Sequence, residues 1–293
     1  MAARWTGALL VMLSLLGTAA AEETVRFPSL DADLTGGAPT ELSAVLFRPA
    51  GAGPFPAVVM LHGCGGMWTS SGKLGTRDRD WADRLAAADF TALLVDSLTP
   101  RGLGSLCRMK ERPISPSRER ARDAHGALAW LAQQSWARAD RIAVIGWSNG
   151  GSTVLSTVDR AAPGRPMKSG PDFRLAVAFY PGCSTSARSS RWRNRLPLTV
   201  LIGEADDWTP AAPCRDLAAR AAKRAKPGNA LLDLVVYPGA YHDFDHPKLT
   251  LRLHAGLSAT ADGSGNAHTG TDPAARADAI ARVMALLAPL KTE

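Results

Sequence analysis

The sequence predicts an α/β fold: a mostly parallel central sheet with helices on both faces. Three observations carry this. Continuous apolar runs of strand length recur along the chain, as in AVVML, TALLVD, IAVIG, LAVAF and LTVLI. Strands buried on both faces need such runs, whereas half-buried strands alternate. Segments with helical spacing separate the runs, and glycine-rich turns close several of them. The chain has 293 residues, 46% of them hydrophobic and 21% charged, which fits one large globular domain.

The N-terminus comes first and stands apart. MAARW carries Arg4, TGALLVMLSLLG is apolar, and Thr18-Ala19-Ala20-Ala21 offers small residues. That order is a secretory signal peptide, expected over 1–21 with cleavage after Ala21. A mitochondrial presequence would carry several arginines. The mature domain is then 22–293, working in a periplasm or outside the cell. No later window is long and apolar enough to span a bilayer.

Strands are expected at Glu41–Phe47 and at Phe55–Gly63, the second ending in a turn. A helix over Asp80–Ala88 places Trp81, Leu85 and Ala88 on one face. Thr91–Asp96 is the next strand, followed by a proline- and glycine-rich loop, Ser97–Pro116. In SRERARDAHGALAWLAQQ, residues Ala124, Ala127, Leu128 and Leu131 share a helix face. Arg141–Gly146 is a strand leading into GWSNGG. Leu175–Tyr180, Leu198–Ile202 and Leu231–Tyr237 are further strands, with a helix over Pro213–Lys223 between the last two. The final helix has Asp272 as N-cap and Pro273 at N1, with Ile280, Val283, Met284 and Leu287 as its stripe. The small, polar stretch Ser258–Thr271 reads as a surface loop within the domain.

The formal charge is +7, but the basic residues are interleaved with acids, as in TRDRDWADR. That pattern is a solvated surface and not a nucleic-acid face. Of the four cysteines, Cys64, Cys107, Cys183 and Cys214, none stands in CxxC spacing, so a zinc site is not expected. An even count in an exported chain points to disulfides, and three pairings are open.

GWSNGG is the motif with most chemistry in it. G-x-S-x-G is weak alone and gains weight from a strand before it and a helix after it. Both are expected here. Gly146 and Gly150 would clear space for a strained Ser148, and the following helix would aim its positive end at that serine. The competing interpretation is a plain glycine-rich helix start. A serine nucleophile needs a base and an orienting acid, in chain order after it. The strand LTVLI runs into Glu204, Asp206 and Asp207; the two aspartates compete, with Glu204 third. The strand LLDLVVY runs into His242. Of the six histidines, only His242 falls just past a strand that follows the acid. His62 reads as turn support, His125 as helical, and His246, His254 and His268 lie beyond. Asp243 reads as a surface or loop-capping residue. Oxyanion donors would be the backbone N–H of Asn149 and that of Cys64 in the turn HGCGG. Trp68, Trp147 and Trp208 flank these residues as pocket or core.

At FPAVVMLHG, RIAVIGWSNGG, GEADDWTP and YPGAYHDF the chain resembles the dienelactone hydrolase family of the α/β-hydrolase superfamily. The resemblance implies an α/β-hydrolase fold and places the acid at Asp206 and the base at His242. It also implies Cys64–Cys107 and Cys183–Cys214 disulfides, because the strands preceding each pair are sheet neighbours in that fold. Arg101, in the region of a family arginine that contacts a substrate carboxylate, becomes a substrate-binding candidate, with a solvated loop arginine as the alternative; Trp208 is a second candidate by its place beside the acids. Two features depart from the family. Serine replaces the cysteine of founding members, and HGCGG lacks the carboxylate that helps activate that thiol. A serine with His and Asp needs no such helper. The expected activity is hydrolysis of a carboxylic ester or lactone, with no metal or organic cofactor. Peptidase or acyltransferase chemistry on the same triad, and a non-catalytic binding protein of this fold, are the alternatives.

Overall fold

The computed structural model describes residues 21–161, 170–224 and 231–292. In chain order these form β1 (Ala21–Pro28), α1 (Ala32–Thr35), β2 (Glu41–Arg48), β3 (Phe55–Leu61), α2 (Thr76–Ala87), β4 (Thr91–Asp96), α3 (Glu119–Leu131) and β5 (Ala137–Trp147). There follow α4 (Asn149–Thr157), β6 (Ala176–Phe179), α5 (Ser184–Arg188), β7 (Leu198–Gly203), α6 (Ala211–Lys223) and β8 (Leu232–Tyr237). A two-stranded ribbon, β9 (Arg252–His254) and β10 (Ala267–Thr269), precedes α7 (Pro273–Leu287) and α8 (Pro289–Thr292).

Eight strands make one sheet in the order β1-β2-β4-β3-β5-β6-β7-β8. The pairs β1–β2 and β2–β4 are antiparallel, and every later pair is parallel. Successive residues of the central strands point to opposite faces, yet Val58, Val59, Val144 and Ile145 are all fully buried. Both faces are therefore covered, which is why these strands read as unbroken apolar runs. Chain reversals occur at the C-terminal strand ends, and the turns after β3, β5, β7 and β8 gather along one edge.

Several expectations need correcting. The strand β1 has no counterpart in the sequence reading; it is an edge strand whose only inward pattern is Val25 and Phe27. It begins at Ala21, the last residue of the expected leader, and the rest of that leader lies outside the described residues. The helix α2 starts at Thr76 and not at Asp80, so Arg77 and Asp78 are helical. The stretch 258–271 is not merely a surface loop. Its β10 pairs with β9, Thr269 bridges His242, and Ala267 and Thr269 are buried. On α7 the buried residues are Ala275, Ala279, Val283 and Leu287, while Ile280 and Met284 are half-buried. Asp272 does cap that helix, accepting from Ala275 N at 2.9 Å.

The disulfides are Cys64–Cys107 and Cys183–Cys214, and no cysteine is free. Two disulfides are the chemistry of an oxidising compartment. No described helix is long and apolar enough to cross a membrane.

Candidate active site

The strand β5 ends at Trp147 and α4 begins at Asn149, leaving Ser148 alone at the bend. Its backbone sits at φ 53° and ψ −114°, where an L-residue is strained. Ser148 N donates to Phe179 O at 2.9 Å, which pins the bend to β6. The flanking glycines are obligatory. A Cβ on Gly146 would lie 2.3 Å from Gly150 O, and one on Gly150 would lie 2.0 Å from Leu61 O. Glycine lets the bend press directly on the end of β3.

Past β7, Asp206 turns back on its own chain. Its Oδ1 accepts from Trp208 N at 3.0 Å and Thr209 N at 2.8 Å. Its Oδ2 lies 2.8 Å from His242 Nδ1. The Thr209 hydroxyl is 3.1 Å from that Oδ2 and 2.9 Å from Tyr180 O, bracing the carboxylate from the side. The pairing puts the imidazole proton on Nδ1 and leaves Nε2 as the basic nitrogen. Nε2 is buried and has no hydrogen-bond partner among the described residues. Burial opposes a charged imidazolium, but the Asp206 charge and hydrogen bond, with help from Asp243, outweigh it; the His242 pKa rises above its ordinary value. Tyr180 and Trp208 hold the ring from two sides, with centroids 4.4 and 4.8 Å away.

A second carboxylate in the histidine loop ties the site together. Asp245 is wholly buried. Its Oδ1 accepts from Tyr180 Oη at 2.6 Å, and its Oδ2 accepts from Trp81 Nε1 at 2.7 Å and Trp147 Nε1 at 2.8 Å. Such charge-assisted bonds contribute about 1.5–3 kcal/mol each, and they let a buried carboxylate persist. Asp243 is also more than a surface residue. It adopts φ 60° and accepts from Arg77 Nη1 at 2.9 Å. Arg77 binds Asp78 as well, lies 5.3 Å from the Trp147 ring centroid, and has its pKa driven up against its burial by these acids. The sequence reading missed Asp245, Tyr180, Thr209 and Arg77. The one local signal was the acid-rich run DFD after His242.

Two clefts meet at Ser148, and Cys64 and Trp208 line both. One, of about 430 Å³, contains His242, Arg108, Arg252 and His254. The other, of about 340 Å³, contains Asn149, Arg112 and the hydroxyls of Ser117, Ser152 and Ser184. Trp208 therefore lies where a pocket residue should. Trp147 is core, and Trp68 is half-exposed, donating to Asp96 at 2.8 Å. Arg101 does not fit the substrate role expected of it. Its guanidinium makes four bonds, to Asp31, to both oxygens of Asp123 and to Ser97 O, and it lines neither cleft. Two buried carboxylates claim it, and breaking such a group would cost about 3–5 kcal/mol. The arginine of the smaller cleft is Arg112, half-buried, donating to Ser258 Oγ at 3.0 Å and, like Arg108 and Arg252 of the larger cleft, without a carboxylate partner among the described residues. Burial alone lowers its pKa.

His62 is the turn support expected of it. Its Nε2 accepts from Ser97 N at 3.3 Å and its Nδ1 donates to Gly63 O at 2.7 Å. Burial, then the nearby Arg120 charge, lower its pKa to about 3, so it stays neutral. The adjoining Cys64 N–H makes no turn or loop hydrogen bond among the described residues, and Asn149 N–H, first in α4, has no acceptor within the helix.

An eight-stranded sheet with a serine bend, a buried Asp–His pair and two clefts at its C-terminal edge defines an α/β hydrolase. The model of the dienelactone hydrolase family matches residues 42–290, and the chain belongs to that family. It is a carboxylic ester hydrolase of the dienelactone hydrolase type. A Bradyrhizobium sp. protein named "Probable 2-oxo-3-(5-oxofuran-2-ylidene)propanoate lactonase" is 26% identical over 214 residues, 69% of this chain and 78% of the relative. The solved structure "m3DLH" superposes with a TM-score of 0.63 at 20% identity, covering 94% of this chain and 100% of its own. Thermogutta terrifontis esterase 2, phosphoramylated by tabun, gives a TM-score of 0.60 at 17% identity, covering 97% of this chain and 100% of its own.

Proposed function

We propose that the protein cleaves a carboxylic ester or lactone through Ser148, His242 and Asp206. One observation carries this. His242 is held by Asp206 at 2.8 Å with its other nitrogen unpartnered among the described residues, in a cleft that it shares with a strained Ser148. In this mechanism Ser148 Oγ attacks the carbonyl carbon while His242 Nε2 takes its proton. Asp206 keeps Nδ1 protonated and stabilises the imidazolium. The N–H groups of Cys64 and Asn149 bind the tetrahedral oxyanion. His242 then protonates the leaving oxygen, and water releases the acyl-enzyme by the reverse proton path.

In this reading the two clefts take the two arms of the substrate. The alcohol oxygen must leave beside His242, so the alcohol arm occupies the larger cleft. The acyl arm occupies the hydroxyl-lined cleft, where Arg112 supplies a cation for a carboxylate. The propanoate in the name of the Bradyrhizobium relative accords with such a substrate. Residues 1–21 act as the export signal of a periplasmic or secreted enzyme, and N-terminal sequencing of the exported protein would read from Glu22.

Labelling with a fluorophosphonate followed by peptide mapping tests the nucleophile. The modified residue is expected to be Ser148, and Ser148→Ala is expected to lose esterase activity by at least about a thousandfold. Retained activity in Ser148→Ala would refute the mechanism. An unlabelled, inactive, folded protein would instead favour a binding role.

A further inference from the structure

Arg120, on α3, is an anomaly in the interior. Its residue exposure is 1%, yet no carboxylate lies within ion-pair distance among the described residues. Its Nη1 donates to Asn149 Oδ1 at 2.5 Å and its Nη2 donates to His62 O at 2.7 Å, while its Nε has no partner. Burying a guanidinium with no carboxylate in contact is costly; burial pulls its pKa down to about 10 against the more distant charges of Asp123 and Asp96, which still leaves it charged at neutral pH. Packing alone would be served better by an uncharged side chain. The two groups that it does bind are informative. One belongs to Asn149, which carries one oxyanion donor. The other is the carbonyl of His62, two residues before Cys64, which carries the second. No other described side chain bonds both turns.

We propose that Arg120 is a positioning residue for the oxyanion site. Its guanidinium clamps the turn after β3 to the start of α4, fixing the spacing of the Cys64 and Asn149 N–H groups, and its charge, which no carboxylate contacts, favours the oxyanion formed between them. This rests on the Ser148 mechanism and extends it to a residue that need not touch substrate. A preorganised charge and fixed donors act on the transition state more than on the bound ester.

Arg120→Gln, Arg120→Lys and Asn149→Ala test it, each compared with the parent and with Ser148→Ala on p-nitrophenyl acetate. Active-site titration makes kcat refer to folded enzyme alone. Arg120→Gln is expected to lower kcat about 30-fold or more with KM little changed, and Arg120→Lys to recover part of the loss. Affinity for a trifluoromethyl ketone, which forms a tetrahedral oxyanion on serine, should fall in step with kcat. Asn149→Ala removes the clamp but keeps the backbone N–H and the charge, so a smaller fall of about 5–10-fold is expected. It decides the matter if the arginine variants do not fold. A titrated kcat within about twofold of the parent in Arg120→Gln, or in Asn149→Ala where the former is unfolded, would overturn the proposal. So would a kcat loss that leaves ketone affinity unchanged. Should Ser148→Ala stay active, the nucleophile assignment fails instead, and the two failures are separate.

Discussion

Two Asp–His pairs lie side by side in this molecule, built from consecutive acids. Asp206 meets His242 at 2.8 Å, with side-chain exposures of 0% and 1%. Asp207 meets His268 at 2.6 Å, with exposures of 36% and 37%. The distances alone would rank the second pair first. Surroundings reverse the order. His242 has its second nitrogen buried and without a hydrogen-bond partner among the described residues, in a cleft shared with Ser148, whereas Asp207 and His268 line neither cleft. Asp207 also accepts from His268 N at 2.8 Å, and its carbonyl accepts from Ala261 N at 2.9 Å. It clips the 258–271 segment to the acid turn, and that segment supports His242 through Gly270 N, which donates to His242 O at 3.0 Å. One pair is the proposed proton carrier, and its neighbour holds the backbone that presents it.

The comparison can be broken most severely at the acids. Asp206→Asn is expected to lower kcat by about 10³–10⁴, because the amide favours the wrong imidazole tautomer. Asp207→Asn should leave kcat within about threefold. Parallel kinetics on the two purified variants would show it, and equal losses would erase the distinction. A smaller effect is expected from Thr209→Val, which removes the hydroxyl bracing Asp206 Oδ2; a kcat loss of about tenfold, with KM little changed, is anticipated.

The pH profile sharpens the contrast further. In the proposed mechanism Ser148 is activated only by neutral His242, whose pKa is raised above the ordinary 6.5. The acid limb of kcat/KM should therefore lie above that value. In Asp206→Asn the limb should move down, since burial then loses its main opponent and only the weaker pull of Asp243 remains, and in Asp207→Asn it should stay put. The raised value also favours folding in acid. That contribution is fully present below the unfolded histidine pKa and fades as pH rises through the folded one. The smallest effect is on stability. The half-exposed Asp207–His268 pair contributes about 1 kcal/mol or less, so His268→Gln should lower Tm by only a few degrees in thermal unfolding.

Much of this was legible in the sequence, for a local reason. Ser148, Asp206 and His242 each follow a strand of the sheet, buried for the first two and half-buried for the third, and strand-then-turn is a short-range pattern. Spacing could not separate Asp206 from Asp207, because both follow β7 and only burial distinguishes them. Arg101 misled because its partners, Asp31 and Asp123, lie 70 and 22 residues away in the chain. Arg120 was invisible for a related reason: an arginine in SRERARD looks solvated until the fold closes over it. The segment 258–271 looked loose because its inward residues, Ala267 and Thr269, are small.

Asp245 has a consequence for how the enzyme comes into being. Trp81, Trp147 and Tyr180 precede it in the chain by 164, 98 and 65 residues. During synthesis the serine bend is therefore translated well before the carboxylate that anchors it. Until that carboxylate docks, two indole N–H groups and a phenol have no acceptor in the interior. A chain cut before residue 245 would carry Ser148 without the anchor that ties the serine bend to the histidine loop.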